Sequence, residues 1–239
     1  MDSVIYNDFE FESLGDGIDI CISSEHRFGT DAFLLADFAS PRNKDMVCDL
    51  CSGSGIVALL MIRNFMPKYV AAVEIQQKAV RQLELSKEKS SLDTLEIFGC
   101  DLKEYKSSAE LDLITCNPPY KLNNTGLKNK DDAVTIARHE ILCDITDVCK
   151  AAARNLKFGG RLCICNRPER LCDTMVAMKQ CGIEPKRLRM VQKTPTSDPW
   201  LFLIEGKKGS KPYMKVEAPL FTTSEDGGYS DEMKRIYRL

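Results

Sequence analysis

The run Asn117-Pro118-Pro119-Tyr120 sets an amide, two imino acids and a phenol in direct succession. Leu111–Cys116 just before it is apolar and β-branched, and reads as a buried strand. Pro118 and Pro119 carry no backbone N–H and fix φ, so strand pairing must stop there. What remains is a rigid, carbonyl-rich turn at the carboxyl end of a strand, the edge at which open α/β sheets bind ligands. Asn117 offers a side-chain acceptor, Pro118 a main-chain carbonyl and Tyr120 a flat face. This set suits a planar amino group on an aromatic base: two acceptors for two N–H bonds, and a ring for stacking. The bland alternative is a proline turn closing a strand.

A second candidate set lies upstream. Asp45–Leu50 reads as a core strand, then come Cys51-Ser52-Gly53-Ser54-Gly55 and an apolar helix, Ile56–Met66. Strand, Gly-rich turn and helix is the unit that brings a nucleotide against backbone N–H groups. Tyr69–Glu74 follows as another strand ending in an acid, about 20 residues beyond the glycines, where a carboxylate accepts from ribose hydroxyls. Asp101, just past the strand Leu95–Phe98, is either an acceptor for an adenine amine or a turn aspartate. Earlier still, Gly29-Thr30-Asp31 precedes an apolar helix stopped by Pro41. Thr30 or Asp31 fits a helix cap, and the same donors also suit an anionic group.

These elements must be positioned by one core. At 239 residues the chain has the length of one α/β domain with small additions. A net charge of −2 excludes an overall basic coat and leaves room for a local basic face. The sequence has no long apolar run and no basic-then-apolar leader, so it reads as soluble and cytoplasmic, with no membrane partner. Eleven cysteines, several inside apolar runs, behave as free thiols of a reducing compartment. Cys48-Asp-Leu-Cys51 has metal-ligand spacing, but no second pair follows and only His26 and His139 are present, so no metal is expected.

Residues 4–12 and 17–23 read as a hairpin turning at Leu14–Gly17. Lys121–Lys130 reads as a polar, substrate-facing loop; helical patterns cover about 132–141 and 144–156, the latter stopped by Gly159-Gly160. Arg161–Cys165 is a fifth strand, a helix ends near Gly182, and Lys186–Val191 pairs with Trp200–Glu205. The alternation predicts an α/β fold: a mostly parallel, seven-stranded sheet with an antiparallel edge strand and a small N-terminal hairpin and helix. One domain is expected, with an N-terminal part over 1–44, a catalytic core over 45–205 and a C-terminal extension over 206–239.

Asn117–Tyr120 resembles the signature of amino-group methyltransferases that use S-adenosylmethionine, and the whole chain resembles class I enzymes of that kind with their Rossmann-like sheet. More closely, Arg27–Leu35, Asp49–Gly55, Asn117–Tyr120 and Ala137–Glu140 are similar to the bacterial tRNA(Val) adenine-N6 methyltransferases. The tail from Pro219 to Tyr237 is similar to their Gram-positive branch. The resemblance implies S-adenosylmethionine as cofactor, with Asp49, Cys51, Gly53 and Gly55 along its methionine part, Glu74 on the ribose and Asp101 near the adenine. It implies Gly29 and Thr30 over the methionine carboxylate, and Asn117, Pro118, Pro119 and Tyr120 as the catalytic turn, Asn117 also facing the cofactor. The implied substrate is the anticodon loop of a tRNA, at the adenine next to the anticodon. Cys51 departs from the general pattern, which has glycine there; a positive φ would strain it.

Basic residues expected to track phosphates are Lys121, Lys128, Lys130, Arg187, Arg189, Lys193, Lys207, Lys208 and Lys211. Rival readings keep the chemistry on a glutamine amide or a DNA adenine, or reduce the chain to a cofactor-binding module without turnover.

Overall fold

The computed structural model describes residues 8–24, 28–118 and 144–239. A hairpin, β1 (Glu10–Gly15) and β2 (Ile18–Ile22), comes first, followed by α1 (Thr30–Ala39). Then alternate β3 (Met46–Leu50), α2 (Ile56–Phe65), β4 (Tyr69–Val73), α3 (Gln77–Lys89), β5 (Leu95–Phe98) and β6 (Leu111–Cys116). The second half comprises α4 (Ile145–Asn155), β7 (Leu156–Asn166), α5 (Leu171–Gln180), β8 (Ile183–Gln192) and β9 (Pro199–Lys208). Two short strands, β10 (Lys215–Val216) and β11 (Leu220–Phe221), and helix α6 (Asp231–Tyr237) complete it.

The main sheet has nine strands in the order β10-β8-β9-β7-β6-β3-β4-β5, with β11 also pairing β8. The strands β7, β6, β3, β4 and β5 are mutually parallel. The antiparallel strand is β9, seated between β7 and β8 rather than at the sheet's margin. The two strands beyond the expected seven are β10 and β11, each two residues long, laid parallel along the outer side of β8.

Each central strand feeds two cores, because alternate residues of a strand face opposite sides of the sheet. Val47, Val70, Ala72, Cys163, Leu201 and Leu203 pack with α1, α2 and α6 on one side. Cys48, Ala71, Val73, Leu162, Ile164, Phe202 and Ile204 pack with α4 and α5 on the other. Burial on both faces is why these strands read as continuous apolar runs.

The hairpin lies apart from this sheet, and its second strand is met by a helix instead of another strand. Cys21 N–H donates to Ser86 Oγ at 2.8 Å, and Gln82 Nε2 donates to the Cys21 carbonyl at 3.0 Å. Asp19 N–H donates to Ser90 Oγ at 2.9 Å. One polar stripe of α3 thus satisfies backbone groups of β2 that would otherwise be unpaired in a buried setting. The hairpin is displaced from its expected register: β1 runs to Gly15, and the turn is Asp16-Gly17, both with positive φ. The proposed strand residues 4–7 lie outside the described residues, as do the loop 121–130 and the helical pattern at 132–141.

Gly159-Gly160 does not stop a helix. α4 ends at Asn155 and β7 begins at once, so both glycines lie inside the strand. The register of β7 against β6 shifts between Leu111 and Leu113, and Gly159 has φ +77°. A Cβ on Gly160 would meet the Leu111 and Lys157 carbonyls at 3.0 Å. The pair is a bulge where two backbones approach closely, a placement that glycine permits.

Among the described residues all cysteines are free thiols and no cluster of metal-ligating side chains occurs. None of the described helices is long and apolar enough to cross a membrane.

Candidate active site

The carboxyl edge of the sheet brings four sequence features into one row. From β4 comes Glu74, from β3 the turn Cys51–Gly55 and from β6 Asn117; at the start of α1, Gly29 is the cap in place of the expected Thr30 or Asp31, which fall in the first turn.

The turn after β3 has a left-handed residue at every second position: Cys51 φ +56°, Gly53 φ +55° and Gly55 φ +91°. The strain anticipated at Cys51 is therefore present. Gly55 has two reasons to be glycine, since an added Cβ would come within 2.1 Å of Leu83 Cδ2 on α3. Gly53 differs: a Cβ there meets nothing within 4 Å, so only its φ demands glycine. The turn is tied to the strands by Ser52 N–H donating to the Val73 carbonyl at 3.1 Å.

Glu74 is almost fully buried at the tip of β4. Oε2 accepts from Gly53 N–H at 2.8 Å, and Oε1 accepts from Ile75 and Gln76 N–H, both at 2.9 Å. The carboxylate bridges the Gly-rich turn and the entry to α3, which fixes one against the other.

Asp49, the last but one residue of β3, is 1 % exposed. Thr115 Oγ1 donates to Oδ1 at 2.6 Å and Ser52 Oγ donates to Oδ2 at 2.7 Å. Burial pushes its pKa up to about 7, with the nearby Glu74 charge adding to the rise and the two hydroxyls opposing it. A carboxyl so poised favours a cationic ligand, which would restore its charged form.

Asn117 is half-buried and gripped at both ends. Its Nδ2 donates to Asp31 Oδ2 at 3.1 Å, and its Oδ1 accepts from Cys165 Sγ, at the end of β7, at 3.1 Å. Asp31 has a second bond, accepting from Ala32 N–H at 3.0 Å. Gly29 explains itself here: its φ is −114°, available to any residue, but a Cβ would come within 2.8 Å of Asp31 Oδ1. Glycine at position 29 leaves room for the carboxylate that holds Asn117. The Thr30 hydroxyl accepts from the Tyr237 hydroxyl of α6 at 2.8 Å.

Gly29, Thr30, Asp49, Cys51, Gly53, Gly55, Glu74 and Asn117 thus share the carboxyl edge. Asp101 lies past β5 at the far end of the row, where it accepts from Lys103 N–H at 2.9 Å and pairs with Lys103 Nζ at 3.2 Å. Pro118 is buried; Pro119, Tyr120, Arg27 and Ala137–Glu140 lie outside the described residues. Asp31 and Cys165 were not singled out as site residues by sequence, although Asp31 sits in the Arg27–Leu35 motif.

Several basic residues expected on a phosphate-tracking face are placed elsewhere. Arg187 donates to Glu205 and the Phe38 carbonyl and stacks over the Phe38 ring, 3.9 Å from its centroid. Arg189 forms a two-pronged pair with Glu232 of α6 at 2.7 and 2.8 Å. Lys207 and Lys208 end β9, Lys207 opposite Arg161 in the middle of β7 and both opposite the start of β8.

Comparison with known proteins agrees with this architecture. The model of the family described as "Methyltransferase small domain" matches residues 23–181. A Bacteroides thetaiotaomicron protein named tRNA1(Val) (adenine(37)-N6)-methyltransferase is 27 % identical over 89 % of each chain. A protein of the same name from Tolumonas auensis is 28 % identical over 86 % of each. Neither organism belongs to the Gram-positive branch expected from the tail at 219–237. Among solved structures, a predicted O-methyltransferase of Agrobacterium tumefaciens superimposes with a TM-score of 0.70 at 17 % identity, over 87 % of this chain and 96 % of that one. M. jannaschii TYW2 in complex with AdoMet gives 0.56 at 11 % identity, over 86 % and 89 %. The chain belongs to the methyltransferase small domain family.

Proposed function

We propose that this protein transfers a methyl group from S-adenosylmethionine to the exocyclic N6 amine of an adenine in tRNA, at the position next to the anticodon of a valine tRNA. The observation that carries the reading is the polarity of Asn117. With its N–H end committed to Asp31, the oxygen end of the amide is the acceptor for an incoming amine.

The residues present fit the cofactor. Asp49, buried and with a raised pKa, answers a positively charged amino acid part. Glu74 Oε2, which accepts from Gly53 N–H, keeps a lone pair for a ribose hydroxyl. The open space at Gly53 leaves backbone exposed to a ligand. When bound, S-adenosylmethionine supplies an electrophilic methyl group on a sulfonium.

The task left to the protein is positioning. An adenine amine is a poor nucleophile because its lone pair is delocalised into the ring. Acceptance of its two hydrogens by Asn117 Oδ1 and the Pro118 carbonyl draws the nitrogen toward a tetrahedral shape and frees the lone pair. Pro119 fixes the turn, and Tyr120 stacks on the base. An anticodon loop presents its bases outside a duplex, which lowers the cost of inserting one into the site. We place the whole chain in one cytoplasmic domain that uses no metal.

Purified protein with S-adenosylmethionine is offered unmodified tRNA, duplex DNA and a peptide-release factor in parallel, with products identified by mass spectrometry. N6-methyladenosine in tRNA alone is expected. A methylated glutamine or DNA adenine overturns the substrate, and no product on any of them overturns the activity.

A further inference from the structure

The carboxyl edge reads, strand by strand, from cofactor to substrate. Glu74 on β4 and the Gly-rich turn on β3 lie on one side of Asn117 on β6; β7, β9 and β8 lie on the other. On that second side, where β8 ends and β9 begins, is a recess of ≈ 260 Å³. Lys193, Trp200, Thr223 and Tyr229 line it, Met233 of α6 closes it, and Thr30 forms the wall toward the site. Thr30 is the residue before Asp31, which holds Asn117.

The dimensions restrict the occupant. Neighbouring strands lie about 4.8 Å apart, so β9 stands about 10 Å from β6. That is within about three stacked nucleotide steps of 3.4 Å. The recess is smaller than the roughly 300–1,000 Å³ of a typical small-molecule pocket, so it accepts one planar group.

The chemistry restricts it further. Trp200 and Tyr229 offer aromatic surface, Tyr229 being 49 % exposed. Threonine hydroxyls donate and accept, which suits the edge of a base. No carboxylate lines the recess, and among the described residues the Lys193 ammonium has no acidic partner, which leaves it for a phosphate. Aromatic faces beside an unpaired cation are how proteins hold single-stranded nucleic acid.

We infer that this recess receives the base of a nucleotide flanking the methylated adenine in the same RNA strand, with Lys193 on the adjoining phosphate. The inference rests on the RNA reading given above and adds a second point of recognition, fixing the register in which the strand enters.

The test uses the full chain and an anticodon stem-loop RNA, intact or with a flanking base removed to leave an abasic site. Stacking of one base is worth about 1–3 kcal/mol, so Tyr229→Ala should raise the RNA Kd by about 5- to 150-fold while S-adenosylmethionine affinity stays at the wild-type level. Lys193→Gln should lower the slope of log Kd against log salt by about 1. One abasic position should weaken binding to the wild type and leave binding to Tyr229→Ala unchanged. If the wild type methylates the RNA but both variants bind it as tightly and with the same abasic profile, the recess is overturned and the activity stands. Loss of cofactor affinity in place of RNA affinity also overturns it. If the wild type neither binds nor methylates the RNA, the substrate reading falls and takes the recess with it.

Discussion

Asp31 Oδ2 accepts a hydrogen from Asn117 Nδ2 at 3.1 Å, across 86 residues of sequence. A carboxylate only accepts, so the amino end of the amide must face it and the oxygen end must face away. The two ends of an asparagine differ little in shape, and the wrong one would offer donors to a substrate that itself donates. Gly29, by lacking a Cβ, lets the carboxylate reach this place.

Asp31→Ala should therefore lower kcat by about 10- to 150-fold, since hydrogen bonds to charged groups contribute about 1.5–3 kcal/mol. Asp31→Asn keeps an acceptor without the charge and should fall between the two. If Asp31 acts through the amide, its removal from an Asn117→Ala background costs nothing further, and a double-mutant cycle on kcat measures this. Equal losses in both backgrounds would assign Asp31 a separate electrostatic role.

Asn117→Ala itself should reduce turnover by about 10²–10³-fold, the usual cost of deleting one well-placed polar contact to the reacting group. Calorimetric titration with S-adenosylmethionine should give a near-normal Kd. A comparable loss of cofactor binding would sink the acceptor role.

Asp49 predicts two opposite pH trends. Its pKa is about 7 in the folded protein, well above the value of about 4 of an ordinary aspartate. Between those values the folded state holds a proton that the unfolded state has released. Stability without cofactor should accordingly fall as pH rises from about 4 to about 7, by an amount on the order of 4 kcal/mol, and level off above. Cofactor affinity should rise over the same range, because a cationic ligand favours the ionised form. Urea unfolding and cofactor titration at several pH values read the two trends, and Asp49→Asn should flatten both.

Cys51 carries φ +56° without being glycine. The left-handed conformation costs an L-residue about 1–2 kcal/mol, part of which glycine returns through its looser unfolded chain. Cys51→Gly should raise the thermal midpoint by a few degrees. An unchanged midpoint would mean that the surrounding bonds at Ser52 and Gly53 relieve the strain.

The central strands and the Gly-rich turn after β3 were legible because their signals are local. Val70–Val73 is buried on both faces and apolar throughout, Val47–Leu50 is apolar but for Asp49, and glycines or prolines follow within a few residues of their ends. Gly159-Gly160 misled because the same dipeptide serves as a helix stop or a strand bulge, and only the approach of the Leu111 carbonyl decides between them. The pairing of Asp31 with Asn117 could not be read, since it depends on how α1 lies across the ends of β6 and β7. Arg187 and Arg189 looked like free cations because Glu205 and Glu232, their partners, stand 18 and 43 residues away.

Helix α6 has a bearing on how the molecule is made. It reaches Thr30 through Tyr237, grips Asp37 through Arg235 at 2.7 and 2.9 Å, and floors the recess with Met233. Strands β3, β4 and β6, with the residues proposed to hold the cofactor, are all translated before residue 117, whereas β9 and α6 are among the last elements to leave the ribosome. Since a domain folds as a unit, the wall of the recess that β9 and α6 complete is in place only once the last residues of the chain have emerged.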